Sequence, residues 1–330
     1  MSDNSRPSEA EHWARRQLGW PKANFQPASA DASFRNYYRI ARAEQSFIVM
    51  DAPPERESLD AFIEVAGRLT QAGLHVPRIQ AEDRQRGFLL LEDLGTRPFH
   101  QVLDDHCADA LFSDAMQALI RMQLHAASTG LAAYDAGRLL QELALFPDWF
   151  LTHHWQIEPT ETELDDWDLL CATLIRWALD QAQVFCHRDY MPRNLMWSDP
   201  NPGIIDFQDA VVGPISYDPV SLFRDAFISW PQTRVDAWLE DYRRQGIKAG
   251  LPLPESTELW RRTCDFMGVQ RHLKVIGIFA RIRYRDGKAQ YLEDVPRFFA
   301  YLDFAIARNP ELAPLGDLLM AWKKRRKIGP

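Results

Sequence analysis

The sequence predicts an α+β chain of two lobes, a small mixed lobe built on a β-sheet and a large, mainly helical one. Three observations carry this. Between Phe25 and Asp51, and again between Val76 and Glu92, apolar residues fall into short strand-like runs separated by turn residues. After Gly95 the pattern lengthens into helical spacings that fill most of the remaining chain. Within that helical part, two short apolar runs, residues 183–186 and 203–205, flank a polar loop crowded with His, Asp and Asn. The boundary is predicted near Gly95, giving lobes at residues 1–94 and 95–330.

Composition limits what such a chain does. Of 330 residues, 46% are apolar, with 11 Trp and 18 Phe, enough for a large core. A net charge of −8 argues against broad nucleic-acid or anionic-membrane binding, which needs a basic field. Cys107, Cys171, Cys186 and Cys264 are scattered, without the spacing of a metal site or a redox pair. The first sixteen residues are polar and charged, and no apolar run approaches membrane-spanning length. A cytoplasmic protein with a small-molecule partner is expected, with neither nucleic acid nor membrane as a partner.

Taken in order, Ser8 and Glu11 have capping-box spacing ahead of an apolar face of Trp13, Ala14 and Leu18, and Gly19 closes that helix. Residues 29–36 form a small polar stretch between strands. It is either a phosphate-covering hairpin in which Ser33, Arg35 and nearby backbone N–H groups meet phosphate oxygens, or an ordinary turn. Residues 57–71 are helical. The run 87–92 is a continuous apolar strand ending in Glu92-Asp93-Leu94-Gly95, suited to a hinge whose backbone near Glu92 and Leu94 pairs with adenine. Helices follow at 108–127, 139–146, 160–182, 216–228, 233–245, 256–279 and 295–307, with a last one through Trp322. His153, His154, Trp149 and Trp155 read as packing, as a substrate wall or as a metal site, and the run 323–327 as cations at a helix end.

The polar loop carries the chemistry. His187-Arg188-Asp189, four residues, then Asn194, has the catalytic-loop spacing of kinases, and Asp206 follows where a metal-binding aspartate belongs. Phosphoryl transfer needs this set: a carboxylate to take the hydroxyl proton, and an amide and a carboxylate to hold Mg²⁺ on the phosphates.

With these residues stand Asp31-Ala32-Ser33-Phe34-Arg35, Val49-Met50-Asp51-Ala52-Pro53-Pro54, Leu91-Glu92-Asp93-Leu94-Gly95 and Ile205-Asp206-Phe207-Gln208-Asp209-Ala210. Gly213-Pro214 and Tyr217-Asp218-Pro219 complete them. Over residues 25–310 the chain resembles the aminoglycoside phosphotransferase (APH) family of small-molecule kinases, and within it a branch acting on cell-wall amino sugars. The resemblance implies a two-lobed, protein-kinase-like (APH/choline kinase-like) fold with ATP and Mg²⁺ as cofactors. It implies an amino-sugar acceptor, N-acetylmuramic acid, N-acetylglucosamine or both, phosphorylated at the anomeric hydroxyl in cell-wall recycling. Carried over by position, Asp189 is the catalytic base, Asn194 and Asp206 bind Mg²⁺, and Glu92 to Leu94 form the adenine hinge. Asp218 buttresses the loop, though the residues alone equally suggest a helix N-cap.

Two departures stand out. Arg188 occupies a position where the family usually has Gly. Met50 occupies the strand position of the phosphate-pairing Lys, so Arg35, Arg39 or Arg42 would have to supply the cation, and Glu64 has no assigned partner. For a sugar carboxylate the candidates are Arg193, foremost because it lies in the loop, then Arg224, Arg271 and His272. Another acceptor (an aminoglycoside, choline or homoserine) or a nucleotide-binding pseudokinase remains as an alternative. The acidic stretch 161–166 would suit a polycation.

Overall fold

The computed structural model describes residues 6–29 and 35–326. They form two compact units, one of Met1–Ala118 with Arg193–Asp209, the other of Leu119–Pro192 with Ala210–Pro330.

The first unit opens with α1 (Arg6–Leu18), which buries Ala10, Trp13 and Ala14. It starts before the predicted cap. Ser8 lies within the first turn, its hydroxyl 3.4 Å from His12 Nδ1. Gly19, at φ +65°, ends the helix as expected. Then come β1 (Asn24–Ser29), β2 (Asn36–Arg42), β3 (Gln45–Asp51), α2 (Asp60–Gln71), β4 (Ile79–Asp83) and β5 (Phe88–Glu92). The strands make one antiparallel sheet in the order β1-β2-β3-β5-β4. Strand β4 begins three residues beyond the predicted Val76, because Pro77 has no N–H to give a ladder. Phe88 to Leu91 are buried throughout, as a continuous apolar run requires. Phe88 and Leu90 join Ile40 and Val49 under Trp13 of α1.

Gly87, at φ +78°, turns the chain into β5. A β-carbon there would lie 1.9 Å from the Ala52 carbonyl oxygen, whose own N–H bonds Gly87 O at 2.9 Å. Gly87→Ala is therefore expected to destabilise the fold by at least about 1–2 kcal/mol from backbone strain alone. A lowered urea midpoint would show it; an unchanged midpoint would mean that β3 and β5 part without cost.

The chain continues through α3 (Phe99–Val102) and α4 (Ala108–His125), which passes into the second unit after Ala118. There α5 (Ala136–Leu145), α6 (Glu161–Leu179) and β6 (Gln183–Cys186) follow. The first unit is then rejoined by β7 (Leu195–Met196) and β8 (Gly203–Ile204). Runs 183–186 and 203–205 are both extended, but neither pairs with the other. β8 pairs with β7, and β6 pairs with β9 (Val211–Pro214). The β7-β8 hairpin is fastened to the first unit by Trp197 N–H on Arg97 O and Ile204 N–H on His75 O, both 2.8 Å. That is why compactness does not divide the chain at Gly95.

The second unit is completed by α7 (Tyr217–Phe223), α8 (Gln232–Ala249), α9 (Thr257–Asp286), α10 (Val295–Arg308) and α11 (Ala313–Arg325). Helix α7 stops short of the predicted Ile228 because Asp225 accepts the Phe227 and Ile228 N–H groups and turns the chain. Helix α9 is 30 residues long, capped by Ser256 on Leu259 N–H and ended by Gly287 at φ +74°. Its middle, from Thr263 to Leu273, is buried on every face, as for a helix running through the centre of a helical body. Around it pack Leu143, Phe146, Trp167, Phe298 and Trp322.

Residues Phe146–Trp155 form a π-helix that no hydrophobic period announces. Trp155 stacks on Phe299 at 5.4 Å and is core, not a substrate wall. His154 Nδ1 lies 3.0 Å from Tyr284 OH, and the His153 ring lies 4.9 Å from Trp149. The acidic stretch 161–166 starts α6: Glu163 closes a capping box with Thr160 and pairs with Arg325 at 2.5 Å. The C-terminal basic run thus has a helix-end role through Arg325, while Lys327 lies outside the described residues. No described helix is long and apolar enough to cross a membrane.

Candidate active site

In the first unit, the β7-β8 hairpin brings Asn194 and Asp206 together. Leu195 faces Ile204 across the ladder, and Ile205 N–H bonds Asn194 O at 3.1 Å just beyond it. Asn194 Nδ2 then donates to Asp206 Oδ2 at 3.3 Å, and Gln208 Nε2 donates to Asp206 Oδ1 at 2.8 Å. Asp206 sits at φ +63°, which aspartate tolerates better than most residues. The result is a carboxylate and a side-chain amide side by side. Mg²⁺ takes such a set, completing its shell with water and phosphate oxygens, rather than a cage of protein ligands.

The stretch expected to act as a hinge, Glu92 to Gly95, lies in the same unit. Glu92 N–H is already bonded to Arg78 O at 2.8 Å, and its carboxylate takes Arg78 Nε at 3.1 Å. Leu94 is buried against Gly203 of β8, where a β-carbon would come within 2.8 Å of its Cδ1. The hairpin that leads to Asp206 and the stretch with Leu94 are therefore in direct contact. Asp93 is held by Arg39 Nε at 2.6 Å, and Arg39 also reaches Gly95 O at 2.9 Å. This pairing keeps the Asp93 carboxyl below its usual pKa, although burial pushes the other way.

Two of the three cations expected to stand in for a lysine are engaged, while Arg42, at the end of β2, is exposed. Arg39 pairs with Asp93, and Arg35 pairs with Glu57 at 2.5 Å. Met50 is fully buried in β3, and Glu64 points along α2 to Arg68. Ser33 lies outside the described residues. Arg193 is exposed, close enough to His100 to help burial lower that imidazole's pKa.

In the second unit, residues 187–192 bridge β6 to the start of the β7 hairpin, and Asp218 of α7 organises them. Its carboxylate, fully buried, accepts His187 N–H at 2.7 Å and Arg188 N–H at 3.0 Å. The cap position of α7 is Ser216, so Asp218 is no N-cap; it is the loop buttress. Burial pushes its pKa up, opposed by His187, the two N–H donors and Arg271. Asp189 N–H donates to His187 Nδ1 at 3.2 Å, and Met191 N–H returns to Asp189 O at 2.9 Å. The loop backbone is thus fixed on both sides of the Asp189 carboxylate, which is half-buried.

Arg188 takes φ +74°, the left-handed region in which glycine is unstrained. The arginine is held there by its side chain: Nη2 lies 2.8 Å from Glu142 Oε1, and the guanidinium sits over Tyr134 at 5.4 Å. Glu142 also pairs with Lys274 Nζ at 2.9 Å and accepts from Tyr134 OH and, at 3.3 Å, from Gln270 Nε2. Burial would raise the Glu142 pKa, but Lys274, Tyr134 and Arg188 together hold it below the usual value. Little that is local signals this network, because Arg188 and Gln270 lie 46 and 128 residues from Glu142. Charged residues within an otherwise buried helix α9 are the nearest thing to a clue.

Two of the remaining carboxylate candidates are committed elsewhere. Arg224 pairs with Asp265 at 2.7 Å deep in the core. His272 is buried and stacked on Tyr301 at 4.8 Å, its pKa lowered well below normal by burial, then by Arg224 and Arg271.

An antiparallel sheet with a metal-type Asn/Asp hairpin, and a helical body with a buttressed His-Arg-Asp loop, define a phosphotransferase of kinase-like fold. A model of the phosphotransferase enzyme family (APH) matches residues 24–260, and the chain belongs to that family. It is 52% identical over 329 residues to the N-acetylmuramate/N-acetylglucosamine kinase of Pseudomonas aeruginosa, covering 97% of each chain. It is 40% identical to the protein of the same name from Neisseria meningitidis, covering 92% of each. Among solved structures, ADP-bound aminoglycoside phosphotransferase APH(2'')-Ib superposes with TM-score 0.60 at 16% identity, over 89% of this chain and 97% of that one. Choline kinase LicA from Streptococcus pneumoniae gives TM-score 0.60 at 13% identity, over 91% and 100%. The fold is therefore the small-molecule-kinase one expected from the sequence.

Proposed function

We propose that this phosphotransferase uses ATP and Mg²⁺ to phosphorylate the anomeric hydroxyl of N-acetylmuramic acid, N-acetylglucosamine or both, in the recycling of cell-wall sugars. The observation that carries the acceptor is the 52% identity, end to end, with a kinase named for those two sugars. An ATP-dependent enzyme of this kind works in the cytoplasm, where ATP is.

On this reading, Asp189 accepts the proton of the attacking hydroxyl. Asn194 and Asp206 hold Mg²⁺, which neutralises phosphate charge when bound. Because Glu92 N–H is already bonded, adenine would meet the Glu92 carbonyl and the Leu94 N–H. Arg35 reaches phosphate only by leaving Glu57, and Ser33 would act beside it. Arg193, exposed in the loop, remains an acceptor-side candidate. The functional division is the lobe division, residues 1–94 for nucleotide and 95–330 for loop and acceptor, which differs from the division by compactness. Catalysis here consists of positioning and charge neutralisation, as a loose phosphoryl transition state demands.

The test is ADP release from Mg·ATP with each sugar in turn. Turnover is expected with N-acetylmuramate, and stripping Mg²⁺ with a chelator should abolish it, with recovery on adding Mg²⁺ back. Turnover that survives chelation would remove Asn194 and Asp206 from their metal role. Absence of turnover on both sugars would sink the acceptor assignment.

A further inference from the structure

Arg271 is the buried cation of the second unit that the fold leaves underused. It is 6% exposed, on α9, with its guanidinium stacked over Tyr217 at 4.4 Å. Its Nη1 makes one long hydrogen bond, 3.4 Å, to Arg188 O, and its Nε is buried with no partner among the described residues. No carboxylate of the described residues pairs with it, whereas neighbouring cations have close partners: the buried Arg224 with Asp265, and the half-buried Arg188 and Lys274 with Glu142. Asp218 acts on it electrostatically, but the Asp218 oxygens are taken by the loop N–H groups. A guanidinium this buried is costly unless paired, and its planar fork matches a carboxylate. It rests on the carbonyl of the residue just before Asp189, so an anion on it lies beside the proposed base.

We infer that Arg271 reads a carboxylate on the acceptor, and so makes the enzyme favour the acidic amino sugar over its neutral counterpart. The inference rests on the acceptor reading above. N-acetylmuramate differs from N-acetylglucosamine by a lactyl ether whose carboxylate is the one charged group of the sugar. A residue that pairs with that group acts on one acceptor and has nothing to pair with on the other. Arg193, foremost from the sequence, is exposed and outside this unit, while Arg224 and His272 are committed to the core.

The experiment is steady-state ADP release by the full chain on both sugars, for wild type, Arg271→Met and Arg271→Lys, with unfolding midpoints as the folding control. The ratio of kcat/KM for N-acetylmuramate to that for N-acetylglucosamine is expected to fall about 10–100-fold in Arg271→Met, the usual scale for losing a charged hydrogen-bond pair. Most of the loss should be in KM, and Arg271→Lys should recover part of the ratio. If both sugars lose equally, so that the ratio holds, Arg271 merely supports the loop and the inference is overturned. The same ratio read on Arg271→Lys decides the matter if Arg271→Met does not fold. Failure of the acceptor reading would show in the wild type, as no turnover on either sugar. Failure of this inference shows only in the variants.

Discussion

Asp189→Asn is expected to lower kcat by about 10²–10⁴-fold, the range for removing a general base. The substitution is nearly isosteric, and the loop around it is fixed by backbone bonds that an amide does not disturb: Asp218 on His187 and Arg188 N–H, and His187 Nδ1 on Asp189 N–H. Nucleotide affinity should survive, because the hinge and the Asn194–Asp206 pair lie in the other compact unit. Asp206→Ala should do the reverse and lose Mg²⁺-dependent nucleotide binding, read as thermal stabilisation by Mg·ADP. Two variants that fail in these opposite ways would separate base from metal ligand. A fully active Asp189→Asn would remove the base from the mechanism.

The second large effect is on stability. Asp265, with no exposed surface, accepts from Arg224 at 2.7 Å, Arg261 at 3.0 Å, Arg308 at 2.6 Å and Asn309 at 2.9 Å. Asp265→Ala would leave Arg224 charged and unpaired in the core, a change that typically costs about 3–5 kcal/mol. Denaturant unfolding should show it, and Asp265→Leu combined with Arg224→Met should regain much of the loss, since an apolar pair removes the orphan charge. Burial alone would raise the Asp265 pKa, but Arg224, then the bonds from Arg308 and Asn309, hold it below normal. The stabilisation is therefore present above the ordinary aspartate pKa and lost as pH falls through the depressed one. Wild type should lose stability in acid more steeply than Asp265→Ala. Parallel pH curves for the two would refute the assignment.

The sequence shows those parts of the site whose chemistry demands fixed residue types at fixed spacing. Asp189, Asn194 and Asp206 could be proposed for that reason, and Asn194 and Asp206 do lie within hydrogen-bond distance of each other. The continuous apolar run of β5 and the long helical periods were legible as well. Strand pairing was not. The run at 203–204 is too short to say whether it joins β6 or the two-residue β7, and that choice decides to which unit Asp206 belongs. The Glu142 network was equally hidden, because a positive φ at an arginine leaves no trace in composition. Asp218 shows the limit of local grammar. An aspartate before a proline caps helices, yet this one bonds backbone thirty residues upstream.

Helix α9 carries Asp265, Arg271 and Lys274 on a single rod of 30 residues. Asp265 and Arg271 are six positions apart, about 9 Å along the axis. The anchor of the core and the groups beside the catalytic loop thus share one rigid backbone, with no hinge or loop between them. Drift in substrate preference cannot be confined to a surface loop here. A lineage that changes its acceptor by replacing Arg271 does so on the same helix that carries the buried Asp265 network.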